Sequence, residues 1–421
     1  MRTRHGLAAW VCIGLAGVAP VEALGEDVSL RPTLELFGAV QGAGFAVSSA
    51  NPDNSVLKVP FLRATTELRP DLKLEVGDLT FRARARIAAL SDSTLISKKL
   101  KTSDPMFESQ WLDLYGEWRV SDSVIVAYGL HNFEWGPAES TSPSNGLVRN
   151  PAFASTFLTT YPGRHLGRIN FSAGRSFSAV FMVETMESAA TSPLEPFDPK
   201  GQLKLEYASE DGAFYVGAVA GVGKTWRPWV GEYLSIELFE GFSAYLDGRE
   251  TLGSRSFYPL DGAPSFEQNR LKDNDVSLFL VGGVRYAFED GADLRLELIR
   301  DDAAYTTEEL DRSVSILAMA GGALPILVGP YVSPGTDLPG KNSLYASLRV
   351  PNLGPGDAFQ VSAREVLSLT DATGISIFVI DWAATDSLVL DLTGAIFHGK
   401  RDGELTRLLR GLGLLAAKYS W

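Results

Sequence analysis

Arginine occupies three alternate positions of one predicted strand, as Arg82, Arg84 and Arg86. Side chains at alternate positions of a strand point to the same face, and the other face of this segment is apolar. A row of guanidinium groups attracts anions when it lines a narrow, water-filled passage. Alternatively, the row pairs with Asp113 and Glu117 on the next predicted strand as a structural ladder. The sequence leaves both interpretations open.

Further charged side chains share the face of these arginines when each predicted strand is aligned by its apolar residues. An arginine facing lipid would cost roughly 2–4 kcal/mol at the middle of a bilayer, so this face must contact water. The basic members are Arg63, Arg69, Arg82, Arg84, Arg86, Arg119, Lys204, Arg285, Arg295 and Arg364. The acidic members are Glu67, Asp113, Glu117, Glu206, Glu297 and Asp391. Basic groups dominate this set although the chain has a net charge of −13, which disfavours nucleic acid as a partner.

Sequence patterns for enzymatic chemistry are weak. Residues 218–225 match a loose phosphate-loop pattern, but another predicted strand follows where the pattern requires a helix, so we predict a strand end and a loop. The histidines lack partners at metal-ligand spacing, and no nucleophile elbow occurs. We therefore predict a protein that is not an enzyme and has no cofactor or metal. A hydrolase whose catalytic groups meet only in space stays open.

The elements that would position these residues are strands joined by connections of two lengths. Strands are predicted near 30–45, 57–69, 79–90, 110–120, 124–133, 165–173, 176–186, 201–208, 213–222, 230–238, 242–251, 275–288, 292–301, 342–351, 357–369, 374–384, 387–397 and 411–421. Short turns are predicted at 70–71, 121–123, 209–212, 239–241, 289–291 and 385–387. Long loops are predicted near 91–109, 134–164, 187–200, 252–274, 302–341 and 398–410. This alternation is typical of transmembrane barrels.

The longest of these loops contains an apolar stretch, residues 316–331, that could be mistaken for a membrane-spanning helix. Gly321, Gly322 and Pro325 interrupt it, and it is shorter than the roughly 20 residues that a span needs. Thr306 and Glu309 form a capping-box pattern just before it. We predict a short helix in a loop that folds over or into the barrel.

Both ends of the chain carry targeting signals. Arginines, an apolar stretch and small residues predict a secretory signal peptide over residues 1–23, which holds the only cysteine, Cys12. The mature chain therefore has no disulfide. The last strand ends in Tyr419 and Trp421 on its apolar face. This ending resembles the closing strand of bacterial outer-membrane barrels, in which a terminal aromatic serves as an assembly signal, so we assign that role to Tyr419 and Trp421.

The loop after the fifth predicted strand also resembles a known pattern. Its Trp-Gly-Pro at 135–137 and Asn-Pro at 150–151 resemble a loop of several porin-like outer-membrane families. The segments 286–291 and 294–298 carry a similar resemblance. In outline the chain resembles the alginate-export barrel and substrate-specific porins, whose site residues do not match one by one. Trp135, Glu139 and Asn145 are predicted in a loop that folds inward as a constriction, with an ordinary surface loop as the alternative.

We therefore predict an all-β, transmembrane, antiparallel up-and-down barrel over residues 24–421, with about eighteen strands, sixteen also being acceptable. The predicted function is passive diffusion of small hydrophilic solutes, with a preference for anions, across the outer membrane of a Gram-negative bacterium. Export of an anionic polysaccharide is the main alternative, followed by a hydrolase and by a plugged structural barrel. Expected partners are outer-membrane lipid, the barrel assembly machinery and small solutes, and a homotrimer is left open.

Overall fold

The chain folds into one closed β-barrel. The computed structural model describes residues 28–46, 48, 51–96, 99–147, 151–152, 155–190, 197–224, 228–268, 274–320, 325–332, 335–400 and 402–421. The predicted signal peptide, residues 1–23, lies outside them. Within the described ranges, eighteen strands pair antiparallel in chain order, and the first strand pairs with the last. The predicted fold class is therefore confirmed.

The barrel strands are numbered in chain order. The first nine are β1 (Val28–Phe45), β2 (Leu62–Val76), β3 (Leu79–Ile96), β4 (Met106–Ser121), β5 (Val124–His131), β6 (Arg164–Ala173), β7 (Phe177–Met186), β8 (Lys200–Ala208) and β9 (Phe214–Gly223). The other nine are β10 (Trp229–Phe239), β11 (Phe242–Leu252), β12 (Val276–Ala287), β13 (Asp293–Asp301), β14 (Asn342–Leu353), β15 (Phe359–Ser368), β16 (Gly374–Ala383), β17 (Leu388–His398) and β18 (Leu409–Ser420). Every barrel strand overlaps one predicted strand.

Two of the predicted connections are wrong. Residues 70–71 lie inside β2, and the turn to β3 comes later, at Gly77, which adopts a φ of 54°. Proline has no N–H group, and the pairing of β2 with β3 is interrupted between Leu68 and Asp71, so the strand accommodates Pro70. The loop predicted at 91–109 is mostly strand, because β3 continues to Ile96 and a short strand, Lys99–Thr102, pairs with its end.

The two faces of the wall differ as the sequence alternation predicts. On the outer face, large apolar side chains such as Phe81 and Leu415 are exposed, at 47% and 62%. Aromatic pairs mark the end of the barrel with the short turns, where Phe239 stacks on Phe242 at 4.8 Å between ring centroids. Aromatic girdles at the edge of an apolar band are characteristic of barrels in a bilayer. The wall therefore presents lipid-compatible groups outward and polar groups inward.

Short turns and long loops lie at opposite ends of the barrel. The turn end has connections of two to five residues, for example at 77–78, 240–241 and 354–358. The other end carries the long connections, including 132–163, 253–275 and 302–341. Long connections are where function is placed on a rigid barrel. They therefore determine what reaches the lumen.

The longest loop contains two helices, α1 (Thr307–Ala320) and α2 (Pro325–Val332). The predicted capping box is present, because the Thr306 amide donates to Glu309 Oε2 at 2.8 Å and the Glu309 amide donates to Thr306 Oγ1 at 3.2 Å. Leu317 and Tyr331 pack together with apolar residues of neighbouring loops. Among the described residues, no helix is long and apolar enough to span a membrane, a finding that concerns helices alone.

Candidate pore and inward loop

Each of the three alternate arginines of β3 pairs with a carboxylate of an adjacent strand. The pairs face the lumen, opposite the apolar outer face of β3. Arg82 and Arg86 contact β2, Arg84 contacts β4, and Arg86 also contacts Glu108 of β4 at 3.2 Å. The closest contacts join Arg82 to Asp71 at 2.6 Å, Arg84 to Asp113 at 2.7 Å and Arg86 to Glu67 at 2.5 Å.

The ladder therefore differs from the predicted one. Only Asp113 pairs with β3 as expected, whereas Glu117 accepts a hydrogen bond from Arg168 of β6 at 2.8 Å. Asp71 was assigned to a turn, so the sequence did not offer it as a partner for Arg82. Because the turn was predicted at the wrong position, the sequence did not predict the register in which the carboxylates of β2 lie beside the arginines of β3.

Other residues predicted to line the lumen occupy the inner face in similar pairs. Arg63 contacts Asp92 at 2.7 Å, and Arg69 contacts Glu67 at 2.8 Å. Arg119 is exposed near the turn end of β4. Glu67 therefore joins two arginines, because Arg86 also binds it.

The guanidinium of most of these pairs is more exposed than the carboxylate. An arginine side chain is longer than that of aspartate, so its charged end extends further from the wall. Some pairs are reversed. Arg168 and Lys204 are the more buried partners of their pairs, and Glu108 is 44% exposed beside Arg86 at 13%. Side-chain exposures are 36% for Arg82 and 21% for Asp71, 38% for Arg84 and 9% for Asp113, and 41% for Arg285 and 7% for Asp293.

Counting charges does not give the sign of the field. The inner face carries charged residues of both signs that the sequence assignment left out. Acidic examples are Asp71, Asp92, Glu184, Asp247, Asp293 and Asp381, and basic examples are Arg31, Lys73, Arg164, Arg168 and Lys418. The exposure of each charge is the better guide, because a solute meets the exposed groups first.

The connection 132–163, called the inward loop below, enters the barrel. Its first part lays Trp135 and Leu147 against the inner wall, where they are 9% and 2% exposed. The wall offers mostly apolar side chains there, although the Lys204 ammonium lies 5.7 Å from the centroid of the Trp135 ring. The contacting residues are Leu166, Val180, Met182, Val219 and Tyr233. This side of the lumen is therefore filled by packed apolar groups.

A buried carboxylate of β13 holds the inward loop further along. Glu297 is fully buried and accepts the amides of Glu139 at 2.7 Å and Ser140 at 3.0 Å. It also accepts the Tyr245 hydroxyl at 2.6 Å. The Glu139 side chain in turn contacts Arg295 at 2.9 Å. The predicted pore residues Arg295 and Glu297 are thus contacts of the loop.

A second buried carboxylate, on β11, holds the next part of the loop. Asp247 is 0% exposed and accepts the Ser144 amide and the Ser142 hydroxyl, each at 2.8 Å. Asn145 is buried beside them and donates to the Phe133 carbonyl at 3.0 Å, which folds the loop back on itself. Asp247 is not among the residues predicted to line the lumen, although strand alternation places it on the inner face.

The returning part of the loop is held by arginines instead. Arg364 of β15 donates to the Ala152 carbonyl at 2.7 Å, and Arg69 of β2 donates to the Leu158 carbonyl at 2.9 Å. Phe157 packs on Phe37 of β1 with ring centroids 5.7 Å apart. The loop therefore contacts the wall at β11, β13, β15, β1 and β2 and crosses the lumen between them.

The structure also explains the phosphate-loop pattern. Gly221 belongs to β9, and the indole of Trp229 on β10 lies against it so closely that any side chain at position 221 would collide. A glycine here makes space for a flat aromatic ring on the inner wall. Thr225, at the end of the pattern, lies outside the described residues. The glycine thus has a packing role.

The loop 399–408 covers part of the long-loop end. Its Glu404 is 4% exposed, and Glu404 Oε2 accepts the Ser368 hydroxyl at 2.6 Å. The Glu404 amide donates to Asp371 Oδ2 at 2.5 Å. Arg407 lies over the ring of Tyr331 at 4.5 Å. These contacts join three separate connections into one cap.

We expect the cap to loosen as the pH rises. Burial raises the pKa of Glu404 above its ordinary value of about 4.3, so the folded cap binds a proton more readily than the unfolded cap. Its stability therefore falls as the pH rises from that value through the raised pKa. Glu404→Gln keeps an acceptor for Ser368 and should flatten this dependence. Limited proteolysis of residues 399–408 between pH 5 and pH 8 measures the stability of the cap. The same pH dependence in the parental protein and in Glu404→Gln would contradict the prediction.

A serine, a carboxylate and a histidine meet on the outer face, but not in the order of a catalytic triad. On the outer face, Ser376 donates to Glu365 at 2.5 Å, and His398 Nε2 contacts the other oxygen of Glu365 at 2.8 Å. The carboxylate therefore separates the serine from the histidine, whereas a triad needs the histidine between the other two groups. The described residues also contain no cluster of three metal-ligating side chains.

Comparison with known proteins identifies the fold. No family model matches the chain, and no curated protein matches it in sequence. OccAB1 of Acinetobacter baumannii is 10% identical, with a TM-score of 0.57 over 95% of this chain and 98% of that chain. The outer membrane protein OprD from Pseudomonas aeruginosa is 11% identical, with a TM-score of 0.52 over 96% of this chain and 97% of that chain. This chain has the OprD fold.

The likeness extends over nearly the whole barrel. Pseudomonas aeruginosa OccK11 is 11% identical and covers 96% of this chain and 99% of its own, with a TM-score of 0.55. Identities this low relate the chains by fold alone. The predicted porin-like outer-membrane barrel is confirmed at that level, and the roles of individual residues must come from the geometry of this chain.

Proposed function

We propose that this chain is an outer-membrane channel for passive diffusion of small hydrophilic solutes, with a preference for anions, after removal of residues 1–23. The observation that carries the proposal is the exposure of the Arg63, Arg82 and Arg84 side chains of β2 and β3, each of which is more exposed than its carboxylate partner. A solute passing this wall meets positive charge first, and a narrow low-dielectric passage strengthens the field.

The position of the inward loop supports a path along that wall. Trp135 and Leu147 fill the side of the lumen formed by β6–β10 with apolar contacts. The wall formed by β2–β4 carries Arg82 and Arg84, whose side chains are 36% and 38% exposed. Water and ions favour the polar side, so we place the conducting path beside these arginines.

Reconstitution of the mature chain in planar bilayers tests the proposal. We expect discrete conductance steps. Under a salt gradient, we expect a reversal potential whose sign indicates that anions permeate more readily than cations. Preparations without conductance would overturn the channel. A reversal potential of the opposite sign, which indicates cation selectivity, would overturn the proposed anion preference but not the proposed channel function.

A further inference from the structure

The wall holds the two parts of the inward loop with opposite charges. The outgoing part presents amides to Glu297 and Asp247, while the returning part presents carbonyls to Arg364 and Arg69. Carboxylates accept from N–H groups and guanidinium groups donate to C=O groups, so each wall charge matches the backbone group it meets. These four residues therefore act on the loop backbone.

We propose that Glu297 and Asp247 are positioning residues that fix the inward loop across the lumen and thereby set the width of the channel. The proposal rests on the proposed channel function for its effect on conductance. The anchoring of the loop by these two carboxylates does not depend on that function. Neither residue needs to touch a solute.

Burial makes this anchoring strong. Both carboxylates are 0% exposed with the loop in place, so water does not compete for these hydrogen bonds. Glu297 receives two loop amides and the Tyr245 hydroxyl, and Asp247 receives one loop amide and the Ser142 hydroxyl. A carboxylate that is shielded from water needs hydrogen-bond donors, and the loop supplies most of the donors for these two. The wall and the loop therefore stabilise each other.

Two variants, Glu297→Gln and Asp247→Asn, test the anchors separately and together. An amide side chain keeps the size of the carboxylate but loses its charge. We expect exchange of the amides of Glu139, Ser140 and Ser144 to accelerate at least about tenfold, as expected for loss of hydrogen bonds to a charged acceptor. Hydrogen exchange followed by mass spectrometry measures these exchange rates, and the measurement does not depend on whether the protein conducts. Asp391→Asn is the matched control, since Asp391 is a buried inner-wall carboxylate that binds Thr393 of its own strand.

Conductance reports the effect on the channel. In the Glu297→Gln, Asp247→Asn double variant, we expect higher and noisier conductance than in the parental protein. In the Asp391→Asn control, we expect conductance near the parental value.

The outcomes separate the two proposals. If the parental protein does not conduct, the proposed channel function is overturned. Hydrogen exchange of the loop amides still tests whether Glu297 and Asp247 anchor the loop. A conducting chain whose loop amides exchange equally in the parental protein and both charge variants overturns the anchors and leaves the channel standing. Acceleration that is as large in Asp391→Asn also overturns the anchors, because the loss would then follow from any buried charge.

Discussion

In Arg84→Gln, the preference for anions falls by roughly fivefold, the effect of about 1 kcal/mol for one charge beside a partly hydrated path. Arg84 is the more exposed partner of its pair, with a side-chain exposure of 38% against 9% for Asp113. Its removal takes away an exposed positive charge and leaves the Asp113 carboxylate uncompensated. Both changes act in the same direction. The reversal potential under a salt gradient measures the shift.

The double variant Arg84→Gln, Asp113→Asn is the control for this prediction. It removes both charges, keeps the size of the Asp113 side chain and leaves no buried charge without a partner. We expect its reversal potential to lie between those of the parental protein and the single variant. Arg119→Gln, near the turn rim, should move the value less. An unchanged reversal potential in the single variant would refute the role of the arginine row.

In Trp421→Ser, we expect much less assembled barrel in the outer membrane. The Trp421 amide donates to the Leu34 carbonyl at 3.0 Å, and its ring meets that of Tyr419 at 4.6 Å, so the residue belongs to the seam between β18 and β1. The ring is 59% exposed and faces the lipid side of the wall. Loss of the aromatic removes the proposed signal for the assembly machinery and an interfacial anchor. Heat-modifiable mobility on gels measures the folded fraction.

Trp118→Ser separates the two causes. Trp118 lies on the outer face near the same rim and is 51% exposed, but it belongs to β4, three strands from β1. Its loss tests interfacial anchoring alone. Equal losses in the two variants would argue against a signal at the last strand, whereas a selective loss with Trp421→Ser supports it.

The strands were predictable because each has one face for lipid and one for water, and this alternation is written in the sequence. The ion pairs between neighbouring strands were not predictable, because each pair depends on the register of the two strands. Pro70 and Asp71 look like a turn, and that local signal placed Asp71 outside β2, where it pairs with Arg82. Glu297 was assigned to the inner face, but its role depends on a loop more than a hundred residues earlier in the chain. No local pattern marks such contacts.

The seam between β1 and β18 has a consequence for how the molecule is made. Glu35 lies opposite Ser420, so the strands that close the cylinder are separated by nearly the whole chain. Contacts between such distant segments form slowly, because the intervening chain must be ordered first. Until then, β1 and β18 each expose an unpaired strand edge that can aggregate. Aggregation through these two edges therefore competes with closure of the barrel until β18 has paired with β1.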